Sequence, residues 1–252
     1  MPEITENLWE PPQKEDKYAL GGDVSEGLPH GDASVLEVIS CSTGRQVYEC
    51  YGAIPPFELA ERAYLVGTYY NNALCAIENN KDGGCNRALF EMGYRSIYFQ
   101  KDDRSKAYEE YTPKLGFNTN VRSRFKIITA TRKLLEDGSL SIRSRALLGE
   151  WETFALDAGK FQGIRGAHDD KVMAYCIAVE AWRVQMLSLE LEENQLKPIW
   201  EGREVGPEHD DFDEEPEDIS YVQKMINRTK EKGLDEPEVG QQEYVHSMEE
   251  YF

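Results

Sequence analysis

Cysteine is too sparse and too irregularly spaced to hold this chain together. Five occur (Cys41, Cys50, Cys75, Cys85 and Cys176), an odd number with no CxxC or CxxH spacing. That argues against a disulfide framework or a thiolate zinc site. Three of them lie in apolar strand or helix patterns, where Cys acts as a small hydrophobe, so reduced intracellular thiols are expected. No run of 18 apolar residues is present and no leader of the secretory type opens the sequence, so a soluble cytoplasmic protein without a membrane span is the default expectation. Three further chemistries lack their motifs. There is no GxxxxGK[ST] phosphate loop, GGDVSEG lacks the GxGxxG spacing of a dinucleotide site, and no serine nucleophile elbow occurs.

Basic residues are also in the minority, 28 Lys and Arg against 47 Asp and Glu, for a net charge of −19 over 252 residues. The imbalance is local. From Glu190 to Phe252 there are 6 basic and 20 acidic residues, whereas Lys101 to Lys171 holds 14 basic and 11 acidic ones. The average describes the tail and hides a mildly basic middle that can meet a polyanion. The length suits one domain with extensions, and the apolar content of 40% suffices for a sizeable core.

Three β-rich runs, Tyr18–Val24, Ser34–Ser40 and Gln46–Tyr51, follow a polar, unpatterned stretch over 1–16 that reads as a leader or linker. Pro55-Pro56 starts a helical pattern. Ala73–Ile77 is a buried-strand run ending in Glu78-Asn79-Asn80, Cys85–Met92 a short helix and Ser96–Phe99 another strand. These strand–helix–strand units predict an α/β fold with parallel pairing, and the hairpin at Cys41–Gly44 makes the sheet mixed. After an irregular charged stretch over 101–115, Val121–Asp137 and Ser144–Thr153 read as helices. Leu140–Ile142 is strand-like, Phe154–Phe161 a small hairpin, and Asp169 to about Leu189 the strongest helix. The expected division is a linker over 1–16, a domain over 17–190 and an acidic tail over 191–252, with one helix near Ile219–Lys232.

Acidic groups stand at the ends of the apolar runs: Asp23, Asp32, Glu78 and the pair Asp169-Asp170. Each has a plain structural use. Asp169-Asp170 can serve the positive end of a helix, Asp23 and Asp32 can sit in turns, and His168 reads as a loop residue or one that supports a neighbouring ligand rather than as a base. As a set they mean more, because carboxylates from distant parts of a chain repel once gathered unless divalent cations neutralise them. Three or four of them converging would hold two Mg²⁺ or Mn²⁺ ions about 3.5–4 Å apart, the arrangement for in-line phosphodiester hydrolysis. The basic run Arg122, Arg124, Lys126, with Arg132-Lys133, Arg143 and Arg145 beyond, offers phosphate contacts without base reading, although such residues on helix faces are often only solvated.

The segments YALGGDVSEGLPHGDASV, ALCAIENNKDGG, the block from LGFNTNVRSRFK to ALLGEWETF, and GAHDDKVMAYCIA span about residues 17–183. Together they resemble the nuclease domain of tailed-phage terminase large subunits, the DNA-packaging motors. The resemblance implies an RNase H/RuvC-like fold, a central mixed sheet flanked by helices with an auxiliary hairpin, and an endonuclease cutting concatemeric double-stranded DNA with little sequence specificity. By position Asp23, Glu78 and Asp170 match the family's metal-binding acids; Asp169 is their neighbour and Asp32 a weaker candidate. Lys114, Arg143 and Arg145 would border the site if the family arrangement holds. The implied partners are double-stranded DNA, the portal protein, the small terminase subunit and an ATPase domain of the full-length chain. The implied setting is the cytoplasm of the infected host cell, with the motor absent from the mature virion. No ATPase motif is present, so the chain is expected to be a nuclease fragment. A junction resolvase of the same superfamily and a catalytically silent docking module are the competing functions.

Overall fold

The computed structural model describes residues 4–28, 31–79, 84–100, 114–157, 160–163 and 168–196. The chain divides into two units, Met1–Gln185 and Met186–Phe252. The first is a sheet with helices on both faces. In chain order its elements are β1 (Thr5–Leu8), β2 (Tyr18–Asp23), β3 (Ser34–Ser40), β4 (Gln46–Gly52), α1 (Pro56–Tyr69), β5 (Leu74–Ile77), α2 (Gly84–Glu91), β6 (Phe99–Gln100), β7 (Lys114–Leu115), α3 (Val121–Glu136), α4 (Arg145–Glu152), β8 (Phe154–Asp157), β9 (Lys160–Gly163) and α5 (Asp170–Leu196). The described part of the second unit is the end of α5.

The main sheet runs β1-β4-β3-β2-β5. β2, β3 and β4 form an antiparallel meander and β5 lies parallel to β2. Strand alternation then sorts the side chains. Tyr18, Leu20, Leu36, Val38, Cys75 and Ile77 point to one core, shared with Leu59, Ala63 and Val66 of α1 and Leu89 of α2. Ala19, Ile39 and Ala76 point to the other, shared with Ile127 of α3, Leu147 of α4 and the buried run Val172–Val179 of α5. Both faces are covered, which is why these strands read as nearly continuous apolar runs rather than alternating ones.

The mixed α/β architecture is as expected, with three local differences. Residues 5–8, inside the expected linker, add an edge strand, with Thr5 opposite Tyr51 and Leu8 opposite Tyr48. TENL carries no alternating pattern because an edge strand is held by backbone bonds on one side only. The strand expected over 96–99 is reduced to a bridge between Ile97 and Cys75 plus two residues at Phe99–Gln100, and the one over 140–142 to a bridge between Ser141 and Arg45. α5 runs to Leu196, past the expected boundary at residue 190. Most of 101–115 and the helix expected near 219–232 lie outside the described residues. Among those described, α5 alone has the length and hydropathy of a membrane span. From Val172 to Ala181 almost every side chain is buried in the second core, so it is a core helix.

Gly21 lets α5 lie against β2. A Cβ there would sit 2.2 Å from the backbone nitrogen of Ala178 and 2.4 Å from the carbonyl oxygen of Ala174. Both obstacles are backbone and cannot swing aside. Gly21→Ala is therefore expected to lower stability by about 3 kcal/mol or more, read as a shift of the urea midpoint. An unchanged midpoint would show that α5 does not lie this close.

Candidate metal centre

β2 and β5 are parallel neighbours, and both end in an acid. Gly22 pairs with Ile77, and the amide of Glu78 donates to the Gly22 carbonyl at 2.9 Å. Asp23 and Glu78 therefore emerge side by side. Asp23 shares the sheet face of Ala19 and Gly21, the face that α5 covers. Because α5 rests on Gly21, its first turn arrives at the same place with Asp170, and Asp169 just before it. Four carboxylates from three elements meet at one end of the sheet.

Their electrostatics follow. The Asp23 carboxyl is pushed well above the usual carboxylate range, first by burial, then by the charge of Glu78 and a hydrogen bond with it, and by the charges of Asp170 and Asp169. Asp170 is also raised, chiefly by burial and by Asp32 and Asp169. The Ala33 amide and His168 oppose the shift. That amide donates to Asp170 Oδ2 at 3.1 Å, which ties the β2–β3 loop to α5. His168 Nδ1 is 3.8 Å from the same oxygen. Ligand atoms of Asp32, His168 and Asp170 all lie within 4.8 Å of one another. The structure thus brings together Asp23, Asp32, Glu78, His168, Asp169 and Asp170.

Glu78 is steadied from its far side. The Phe117 amide donates to the Ile77 carbonyl at 2.8 Å and the Asn79 amide to the Phe117 carbonyl at 2.7 Å. Gly116, at φ +80°, makes this close pass possible, since a Cβ there would meet the Ile77 carbonyl at 2.3 Å. The chain then turns into α3, where the Asn120 side chain accepts from the amides of Arg122 and Ser123 at 3.0 Å each.

The basic residues are not one surface. Arg124 is paired with Asp169, and its guanidinium lies over the Phe154 ring, 5.7 Å from the centroid. It belongs to the acidic centre. Arg122 is exposed in the same first turn. Lys126 is exposed one turn on, 4.0 Å from Glu180. Arg143 lies elsewhere: its amide donates to Gln46 at 2.8 Å and its guanidinium pairs with Glu10. Gln46 pairs with Ile39, four residues from the Val35 that faces Asp23. Arg143 is thus roughly 13 Å down the strands from the acids, and Arg145 starts α4 at that same end. The Lys114 side chain lies outside the described residues.

The structure adds residues that the sequence reading passed over. Glu150 Oε2 accepts the Lys171 amide at 2.9 Å. Glu37, Glu49 and Lys171 are buried together beside the centre. A signal for the two glutamates existed, because each interrupts an apolar strand (SVLEVIS and QVYECYG) where a lone charge is costly. The centre itself offers carboxylate oxygens and one exposed imidazole. One carboxyl, Asp23, is pushed up by burial and then by the charges of its acidic neighbours, a repulsion that a dication would relieve. Such a donor set fits a hard divalent cation.

No protein-family model matches the chain, and none of the curated proteins matches it. Solved structures do. The large terminase nuclease from thermophilic phage G20c aligns over 70% of this chain and 88% of its own, with a TM-score of 0.54 at 16% identity. The same nuclease with bound magnesium aligns over 70% and 87%, with a TM-score of 0.56 at 17% identity. The Thermus phage P74-26 large terminase nuclease domain aligns over 69% and 84%, with a TM-score of 0.52 at 19% identity. The fold of this chain is that of large-terminase nuclease domains, an RNase H-like mixed sheet between helices.

Crowding of the acids has a testable cost. Asp23 is raised in the folded state, so ionising it disfavours folding once pH exceeds its unfolded value near 3.8. In metal-free buffer at pH 8 Asp23→Asn is expected to be more stable than the parent by on the order of 1 kcal/mol, read as a higher unfolding temperature. The gain should shrink as pH falls and vanish below the ordinary carboxylate range, as calorimetry across pH would show. An advantage independent of pH would mean that Asp23 is not crowded.

Proposed function

We propose that this chain is the nuclease domain of a phage terminase large subunit, hydrolysing phosphodiester bonds of double-stranded DNA with little sequence preference during genome packaging. The convergence of Asp23, Glu78, Asp169 and Asp170 from two parallel strand ends and one helix start carries this reading. The likeness to terminase nucleases, one of them solved with magnesium, supports it.

In this reading Asp23, Glu78 and Asp170 hold two divalent cations, Mg²⁺ or Mn²⁺, with Asp169 beside them and Asp32 and His168 at the rim. Bound there, the cations lower the pKa of the attacking water and neutralise charge on the departing 3′ oxygen. The chain's own residues set the geometry. Asp23 and Glu78 are fixed by strand pairing, and Asp170 by the Ala33 amide and the seat of α5 on Gly21. Arg124, its guanidinium over the Phe154 ring, pairs with Asp169. No nucleophilic side chain is required.

DNA would approach over the start of α3, where Arg122 is exposed beside the Arg124 that pairs with Asp169, and continue past the exposed Lys126 near Glu180. Contacts of this kind track phosphates and leave sequence unread. Arg143 and Arg145, on the far side, would meet DNA only along a longer path. Portal protein, small terminase subunit and an ATPase domain are the partners this role supplies, in the infected host cell.

Digestion of supercoiled plasmid with Mn²⁺ tests the reading. Asp23→Ala and Glu78→Ala should each reduce cutting by more than about 100-fold, beyond the loss expected for a residue that only supports a ligand. Persistence of cutting in both variants sinks the assignment, and preference for branched over linear DNA would point to a resolvase. Replacing Arg122 and Lys126 by Ala should weaken DNA binding alike on unrelated sequences and flatten its salt dependence by about one unit of log–log slope per lost contact.

A further inference from the structure

Beneath the acidic centre, on the face of the sheet that α5 covers, lies a second group of ionisable side chains that hydrolysis does not use. Glu37 and Glu49 face each other across β3 and β4, both with 0% exposure. Lys171, in the first turn of α5 and 5% exposed, brings Nζ to 3.4 Å from Glu49 Oε2 and 2.9 Å from the Tyr51 ring centroid. Asn7 donates to Glu49 Oε1 at 3.1 Å, and Gln46 donates to Glu37 Oε2 at 2.6 Å. One cation faces two carboxyls. Burial and the charge of Glu49 push Glu37 well above the usual carboxylate range, and Glu49 is the carboxyl within ion-pair distance of Lys171.

The position of Lys171 works against it in two ways. Its ammonium is desolvated, and the first turn of a helix disfavours cations. A buried pair of this kind adds little net stability over an apolar replacement. What it supplies is placement, because the contacts close a ring. Gln46 Oε1 accepts from the amides of Arg143 and Ser144 at 2.8 and 2.9 Å. Ser144 caps α4 by accepting from the Leu147 amide at 3.1 Å. Glu150 of α4 then accepts the amide of Lys171 itself at 2.9 Å. The first turn of α5 is held at its side chain by Glu49 of the sheet and at its backbone amide by the Glu150 carboxylate of α4, at the residue next to Asp170.

We propose that Lys171, through Glu49 and the Gln46–Ser144–Glu150 ring, is a positioning residue that fixes the rotation of the first turn of α5 and so aims Asp169 and Asp170 at Asp23 and Glu78. This rests on the reading of those acids as metal-holding.

The test compares wild type, Glu49→Gln, the double variant Lys171→Met with Glu49→Gln, and Asp23→Asn, reading Mn²⁺ binding by calorimetry and unfolding temperature on the same samples. Glu49→Gln keeps the shape and the Asn7 bond. The double variant removes both charges and should stay folded with an unfolding temperature near that of wild type. Glu49→Gln alone leaves the buried ammonium without that partner and should unfold at a lower temperature, so its Mn²⁺ binding is read well below that transition. Both should bind Mn²⁺ at least fivefold more weakly, towards the roughly 10–100-fold losses typical of residues that orient metal ligands. Raising Mn²⁺ should restore plasmid cutting in both, and not in Asp23→Asn. If either folded variant binds Mn²⁺ within fivefold of wild type, the positioning role is wrong while the nuclease reading stands. If wild type binds Mn²⁺ no better than Asp23→Asn, the metal centre fails and the positioning role with it.

Discussion

Helix α5 approaches β2 more closely than any side chain at residue 21 would allow, and the geometry of the centre depends on that approach. Ala174 and Ala178 supply the matching small surface one and two turns into the helix. With the helix seated there, its first turn has only one place to go, the end of β2 where Asp23 stands. The contact is apolar and tight, and it positions charges that would otherwise separate. Close packing of this sort has little slack, so a shift at Gly21 is transmitted to Asp170 rather than absorbed.

Gathering carboxylates costs free energy, and the local structure offsets only part of it. Asp170 receives one backbone amide from Ala33 and Asp169 one guanidinium from Arg124. Asp23 is pushed up first by burial and then by the charge of Glu78, so part of the cost at the meeting point is repulsion left standing. A perturbed carboxyl at the meeting point of three elements is the common signature of a working site rather than of a structural ion pair. The buried group below differs in kind: Glu49 is matched by Lys171 in an ion pair and Gln46 donates to Glu37, so it braces the site with a cation of its own.

Much of this was legible in the chain itself. The runs YALGGD, SVLEVIS and QVYECYG became strands at nearly their expected limits because burial on both faces leaves a strong apolar signal. The acids could be found because each ends such a run, and parallel pairing of β2 with β5 was sufficient to set Asp23 beside Glu78. The edge strand Thr5–Leu8 was not legible, since one-sided backbone pairing imposes no side-chain pattern. Nor was the split among the basic residues. Arg124 and Arg143 look alike along the chain, and only the packing of α3 and α4 sends one to Asp169 and the other to Glu10. Lys171 was hidden for the same reason, because its partner Glu49 lies 122 positions earlier on β4.

The charge distribution makes a last point about how a chain of net charge −19 can meet DNA. Long-range attraction cannot come from the whole protein, whose overall field opposes a polyanion and is screened within about 10 Å at moderate salt. Attraction has to be local, close to the acids, and Arg122, exposed in the first turn of α3 beside the Arg124 that pairs with Asp169, is a cation so placed, while Lys126 faces Glu180 further along α5. Arg124 is already engaged with Asp169 and contributes by neutralising one of the carboxylates that would repel a phosphate. Divalent cations would complete that inversion of sign, because they convert the strongest local repulsion into the strongest local attraction. Metal binding and DNA binding at this end of the sheet are therefore one coupled equilibrium: the acids that repel the backbone without metal are the groups that draw it in once metal is bound.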